Sequence, residues 1–131
     1  MKSKGLILSL LWITILVMTG CSGSGNSSDA AKAAENYLRT RVMGDEGKLA
    51  ALGCKARESD IRGEALSFGG MKADIQSLSC NQAGTEGEFT IVSCQGKMVT
   101  TYAGETRDWD LGARSLKMAQ EDGAWKMCGY K

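Results

Sequence analysis

Helical spacing stops at Gly69-Gly70, and from Met71 to Tyr130 the chain reads as strands separated by turns. That single change of texture restricts the fold more than any other feature. Helices followed by a run of antiparallel strands give an α+β domain, with N-terminal helices packed on one face of a curved antiparallel sheet. Upstream of the change, Ser28-Asp29 is a good helix start. Ala30, Ala34, Tyr37, Leu38, Arg41 and Val42 follow with helical spacing, which predicts a first helix over 29–43. Gly44 and Gly47 break it, 48–52 forms a short second helix, and 58–67 a third. Downstream, strands are predicted over 71–80, 87–95, 98–103, 107–119 and 124–130. A loop is expected over 81–86, a tight turn at Gly96-Lys97, and a hairpin at Asp122-Gly123.

The folded part does not include the N-terminus. Lys2 and Lys4 precede an apolar run from Leu6 to Met18, interrupted only by Ser9 and Thr14. That run is shorter than the ~20 residues of a membrane span and matches the ~7–15 of a signal-peptide core. Residues 1–20 are therefore expected to be a cleaved signal peptide. Met18-Thr19-Gly20-Cys21 resembles the lipobox of bacterial lipoproteins, with Met18 where the family usually has Leu. The resemblance implies lipidation of Cys21, palmitate-type acylation, and a partner in the membrane itself through that anchor. Two or three acyl chains hold durably where one does not. Residues 21–28, rich in Ser and Gly, read as the lipidated Cys and a flexible linker before a single domain over 29–131. Ser22 resembles the residue of lipoproteins sent to the outer membrane, so the expected location is the cell envelope, on the periplasmic face of the outer membrane where two membranes exist.

Cys54, Cys80, Cys94 and Cys128 remain, an even number in an oxidising compartment, and are expected to form two disulfides. Three connectivities are possible. Strand alternation places Cys128 on the face opposite Trp125 and Met127, toward a neighbouring strand, which favours Cys94–Cys128 and leaves Cys54–Cys80.

Composition excludes several chemistries. The chain has no His, which removes the commonest general base, the usual zinc ligand and every Ser-His or Cys-His nucleophile. Loss of Lys2 and Lys4 takes the formal charge from +1 to −1, so nothing draws the domain to nucleic acid. No metal, no cofactor and no catalytic residue is expected.

The layout, and above all the hairpin Leu116-Lys-Met-Ala-Gln-Glu-Asp-Gly-Ala-Trp-Lys-Met-Cys128, resembles the nuclear-transport-factor-two-like (cystatin-like cone) superfamily of small secreted lipoproteins. That resemblance implies a curved sheet wrapped around the first helix. Some relatives are enzymes with Asp, Tyr or His in the cone, but no such position carries over here. Another small disulfide-linked α+β module is the alternative fold.

Tyr37, Trp109 and Arg107 are the candidate pocket residues, with Arg114 a further anion contact and Trp125 a further ring. Each has a plainer role in packing or solvation. Asp108 and Asp110 share a strand face, as an acid/base pair requires, yet equally describe a solvated strand end. Glu58, Asp60, Glu121 and Asp122 read as exposed charge and turn. Gly44 and Gly47 lack the lysine and following helix of a phosphate loop. The expected function is non-enzymatic binding or interaction at the envelope, with a protein partner or a second copy of the chain. A small-molecule-binding cone or remnant enzyme is the alternative, and requires that Met98, Met118 and Met127 not fill the interior. An envelope inhibitor is a third possibility with no residue in its favour.

Overall fold

The computed structural model describes residues 27–131, with side chains from Asp29 onward. The expected signal peptide over 1–20, the expected lipidation of Cys21 and the expected linker as far as residue 26 lie outside the described residues, and Ser27 and Ser28, also expected in that linker, belong to the first helix. Three helices come first: α1 (Ser27–Arg41), α2 (Glu46–Ala51) and α3 (Glu58–Leu66), the last entered through a 3-10 turn at Lys55–Arg57. Five strands follow, β1 (Lys72–Glu86), β2 (Phe89–Tyr102), β3 (Glu105–Asp110), β4 (Leu116–Glu121) and β5 (Ala124–Tyr130). The α+β class expected from the change of texture is the observed one. Among the described residues no helix is long and apolar enough to cross a membrane.

The first helix lies across the sheet because of its small apolar stripe. Ala30, Ala31, Ala34, Tyr37 and Leu38 are buried at helical spacing, and the alanines let the helix axis approach β1 and β5 closely. Leu49, Ile61 and Ala65 from the short helices join Val92, Leu116, Met118 and Met127 from the strands in one core. Among the described residues, the members of that core run from Ala30 on α1 to Met127 on β5. Asp45 caps α2, its carboxylate accepting from the Lys48 amide at 3.0 Å.

The sheet departs from expectation at three places, each for a geometric reason. Strand β1 runs on to Glu86 instead of ending at Cys80, and the turn is Gly87-Glu88, with Gly87 at φ +60 as a type II′ hairpin needs. Gly96 is not a turn. It sits inside β2 at φ +113, opposite Ser77 at φ +55, where the register shifts between Gln76 and Ser79. A Cβ on Gly96 would lie 2.6 Å from the Gln76 carbonyl oxygen and 2.7 Å from that of Ser77, so the bulge accepts only glycine. The long strand expected over 107–119 is split. Strands β3 and β4 pair with the same edge of β2, at 97–102 and 90–92 respectively. Where β2 bulges, the chain between them leaves the sheet as a 3-10 turn, Leu111–Ala113. The Asp122-Gly123 hairpin stands as expected, both residues at positive φ.

The disulfides are Cys54–Cys128 and Cys80–Cys94, which overturns the expected pairing. Cys80 and Cys94 face each other in the β1–β2 register, Cα atoms 4.0 Å apart. Strand β4 separates β2 from β5, so Cys94 and Cys128 are not neighbours. What lies beside β5 is the chain after α2. The Cys54 amide donates to the Met127 carbonyl at 2.8 Å, and the Met127 amide to the Leu52 carbonyl at 2.9 Å. Gly53 makes this parallel bridge possible, since a Cβ there would overlap Ile61 Cδ1.

Candidate functional site

Past the bulge, alternate residues of β2 and β3 turn one face of their ladder inward. Met98 is opposite Trp109, Thr100 opposite Arg107 and Tyr102 opposite Glu105. The Trp109 indole N–H donates to Thr100 Oγ1 at 2.9 Å, which fixes the ring against the sheet. Across from this ladder, the end of α1 and the chain after α3 supply Arg41, Ser67, Phe68 and Met71. Together these residues enclose a partly open hollow of about 470 Å³. A second hollow of about 500 Å³ shares Arg41, Met98 and Trp109 with the first. It extends past Leu38, Glu64 and Tyr130 to the 3-10 turn after β3, where Arg114 lies, and to Arg57.

A polar hub forms the floor. Glu64 Oε2 accepts from the Tyr130 hydroxyl at 2.7 Å and from the Tyr37 hydroxyl at 3.1 Å. Arg41 Nε lies 3.2 Å from the same oxygen, an ion pair by distance whose N–H is not aligned as a hydrogen bond. The Arg41 guanidinium carbon stands 5.4 Å from the Phe68 ring centre and 6.0 Å from that of Tyr130. One carboxylate oxygen thus ties α1, α3 and β5 together. Burial first, then the neighbouring Tyr130 and Glu64, push the Tyr37 phenol far above its ordinary 10.0. The Tyr130 phenol is raised too, by burial and by Glu64, against the lowering effect of Arg41.

Of the three candidate pocket residues, Trp109 lines both hollows and Arg107 lines the first. Tyr37 does not line either. It is fully buried beneath the floor and acts through Glu64. Asp108 and Asp110 do not form an acid/base pair. Asp108 takes the Lys97 ammonium at 2.9 Å, and Asp110 accepts from the Gly112 amide at 2.7 Å, capping the 3-10 turn. Glu58 pairs with Arg62, Asp60 with Arg57, and Glu121 accepts from the Lys55 amide. Asp122 holds the β4–β5 turn, and Gly44, at φ +70, follows α1. Trp125 is partly buried against the core. Met118 and Met127 are packed in that core, while Met98 forms a wall of the hollows, so the interior is filled at one end only.

Arg41, Arg57 and Glu64 were not singled out as site residues from the sequence. Glu64 sits between Ile61 and Ala65, the two buried residues of α3, and a carboxylate beside an apolar stripe was the available signal. Among the described residues, no cluster of three or more His, Cys, Asp or Glu is arranged to hold a metal ion.

No protein-family model and no curated protein matches the chain. Among solved structures it is similar to a Novosphingobium aromaticivorans protein provisionally called a scytalone dehydratase. The two are 16% identical with a TM-score of 0.42, over 73% of this chain and 74% of that one.

Proposed function

We propose that this chain is a small-molecule-binding cone domain held at the cell envelope by a lipid on Cys21, and that it binds without turnover. The observation that carries the binding reading is the hollow itself. At about 470 Å³, with Phe68, Met71, Met98, Tyr102 and Trp109 around it, it has the size and apolar lining of a small-molecule site. Among the described residues, two of the four exposed large apolar side chains, Tyr102 and Trp109, lie in that lining, which favours a small ligand over a protein partner on the outer sheet face. Binding is favoured over catalysis because the carboxylates near the hollow are engaged. On the second hollow Glu64 Oε2 has three partners and the Asp110 carboxylate caps a turn, and on the first Glu105 lies 3.8 Å from Arg107. The anchor rests on Met18-Thr19-Gly20-Cys21 and the Ser/Gly linker.

Native mass spectrometry of the protein released from its own membrane tests both halves. The covalent mass is expected to match residues 21–131 plus acyl chains. A non-covalent adduct is expected on the wild-type protein and absent from Met71→Trp, whose ring would occupy the hollow. An unlipidated mass overturns the anchor, and a wild-type protein without adduct, or an adduct that survives the filling substitution, overturns the binding site.

A further inference from the structure

From the charges around the second hollow we infer that the ligand is an amphipathic anion, its apolar body against Trp109 and Met98 and its carboxylate, sulfonate or phosphate on Arg114. This rests on the reading of the joined hollows as a ligand site and adds the chemistry of what fills them.

Three arginines, Arg41, Arg57 and Arg114, line the second hollow. Two of them converge on a single ring, since the guanidinium carbons of Arg41 and Arg114 stand 6.0 and 5.8 Å from the centre of Tyr130. Like charges gathered along one wall repel one another and favour an anion between them. The protein answers part of that charge. Glu64 is committed to Arg41, and Asp60 lies 3.2 Å from Arg57. In the first hollow Glu105 lies 3.8 Å from Arg107. Arg114 has no carboxylate within ion-pair distance among the described residues. Its exposed guanidinium lies within cation–π distance of the Tyr130 ring, so its N–H groups can meet an oxyanion at the edge of the hollow. The apolar side is equally placed, because Met98 and Trp109 belong to both hollows. A molecule reaching from one to the other would lay its body on the Met98–Trp109 pair and present its head to Arg114.

The test compares two probes that differ by one sulfonate group, 1-anilinonaphthalene-8-sulfonate and its neutral parent N-phenyl-1-naphthylamine. They are titrated into residues 22–131 with both disulfides formed. The sulfonate is expected to bind about tenfold tighter than the neutral probe, and to weaken with added salt while the neutral probe does not. Arg114→Ala is expected to remove most of that advantage, weakening the sulfonate several-fold more than the neutral probe, and Arg114→Lys to restore part of it. Folding of each variant is checked by near-ultraviolet circular dichroism. Equal affinity for the two probes, or an advantage that survives Arg114→Ala, overturns the anionic assignment while the hollow stands as a site. Failure of both probes to bind overturns the site and this assignment together.

Discussion

The Tyr130 hydroxyl donates to Glu64 Oε2 at 2.7 Å across 66 positions of the chain, joining the last strand to the last helix. The same oxygen takes the Tyr37 hydroxyl and lies against Arg41 Nε, so three elements depend on one half-buried carboxylate. Losing it leaves two hydroxyls without their acceptor and a guanidinium without its counter-charge. Such orphaned groups each cost more than the net value of the bond they lose. Glu64→Ala is therefore expected to lower stability by about 2–4 kcal/mol in urea unfolding. A loss within error of zero would mean that water replaces the carboxylate and that the hub does not hold the floor of the hollow.

The two phenols give the protein an alkaline limit. In the unfolded chain each ionises near 10.0, whereas both are raised in the folded protein, Tyr37 chiefly by burial. Below pH 10 both states carry the proton and no linkage exists. Above it the unfolded state releases protons that the folded state keeps, so stability falls as pH rises, by up to about 1.4 kcal/mol per pH unit for each phenol. Urea midpoints between pH 8 and 11 are expected to decline from about pH 10 upward. In Tyr37→Phe that decline should be shallower. An unchanged slope in the variant would remove Tyr37 as a source of the limit.

Trypsin distinguishes the cystine pairings directly. Cleavage after Lys72 and Lys97 leaves Cys80 and Cys94 in one peptide, so their bridge is an internal loop there. Cys54 falls in peptide 49–55 and Cys128 in 127–131, and without reductant these two are expected as one linked species. All three peptides joined together would show one of the other pairings. The longer loop, with a sequence separation of 74 against 14, is also expected to contribute more. In the chain-entropy model the figures are about 4.5 and about 3 kcal/mol, read by comparing each Cys-to-Ser pair in urea.

Local patterns were legible in the sequence where local physics decides them. The alanine stripe of α1, the Asp122-Gly123 turn and the order of helices before strands all follow from spacing within a few residues. The misreadings come from features that depend on distant chain. Glycine marks both turns and bulges, and only the opposing Ser77 makes Gly96 a bulge. Asn81 to Glu86 has the polar composition of a loop, yet it pairs with Ser93 to Phe89 across the sheet. Alternation put Cys128 on the correct kind of face but could not supply its neighbour, because Cys54 arrives through a parallel bridge made after the helices pack. Trp109, an amphipathic ring, and Arg107, a possible anion contact, stood out in the sequence by residue type, and both border the first hollow. Arg57 and Glu64 did not, since charged residues on short helices are usually solvated.

The split edge of β2 divides the molecule into a part that resists change and a part that tolerates it. Where β4 meets β2, the neighbouring positions are sealed by Val92, Leu116 and Met118, and a single added residue would flip the inward face outward. Between Asp110 and Leu116 the chain is already out of the sheet, in exposed or partly exposed residues that nonetheless border the second hollow. Insertions and deletions are absorbed most readily in such segments. One short stretch of chain can therefore be lengthened, shortened or recharged to suit a different ligand while the packed β2–β4–β5 end of the sheet keeps its register.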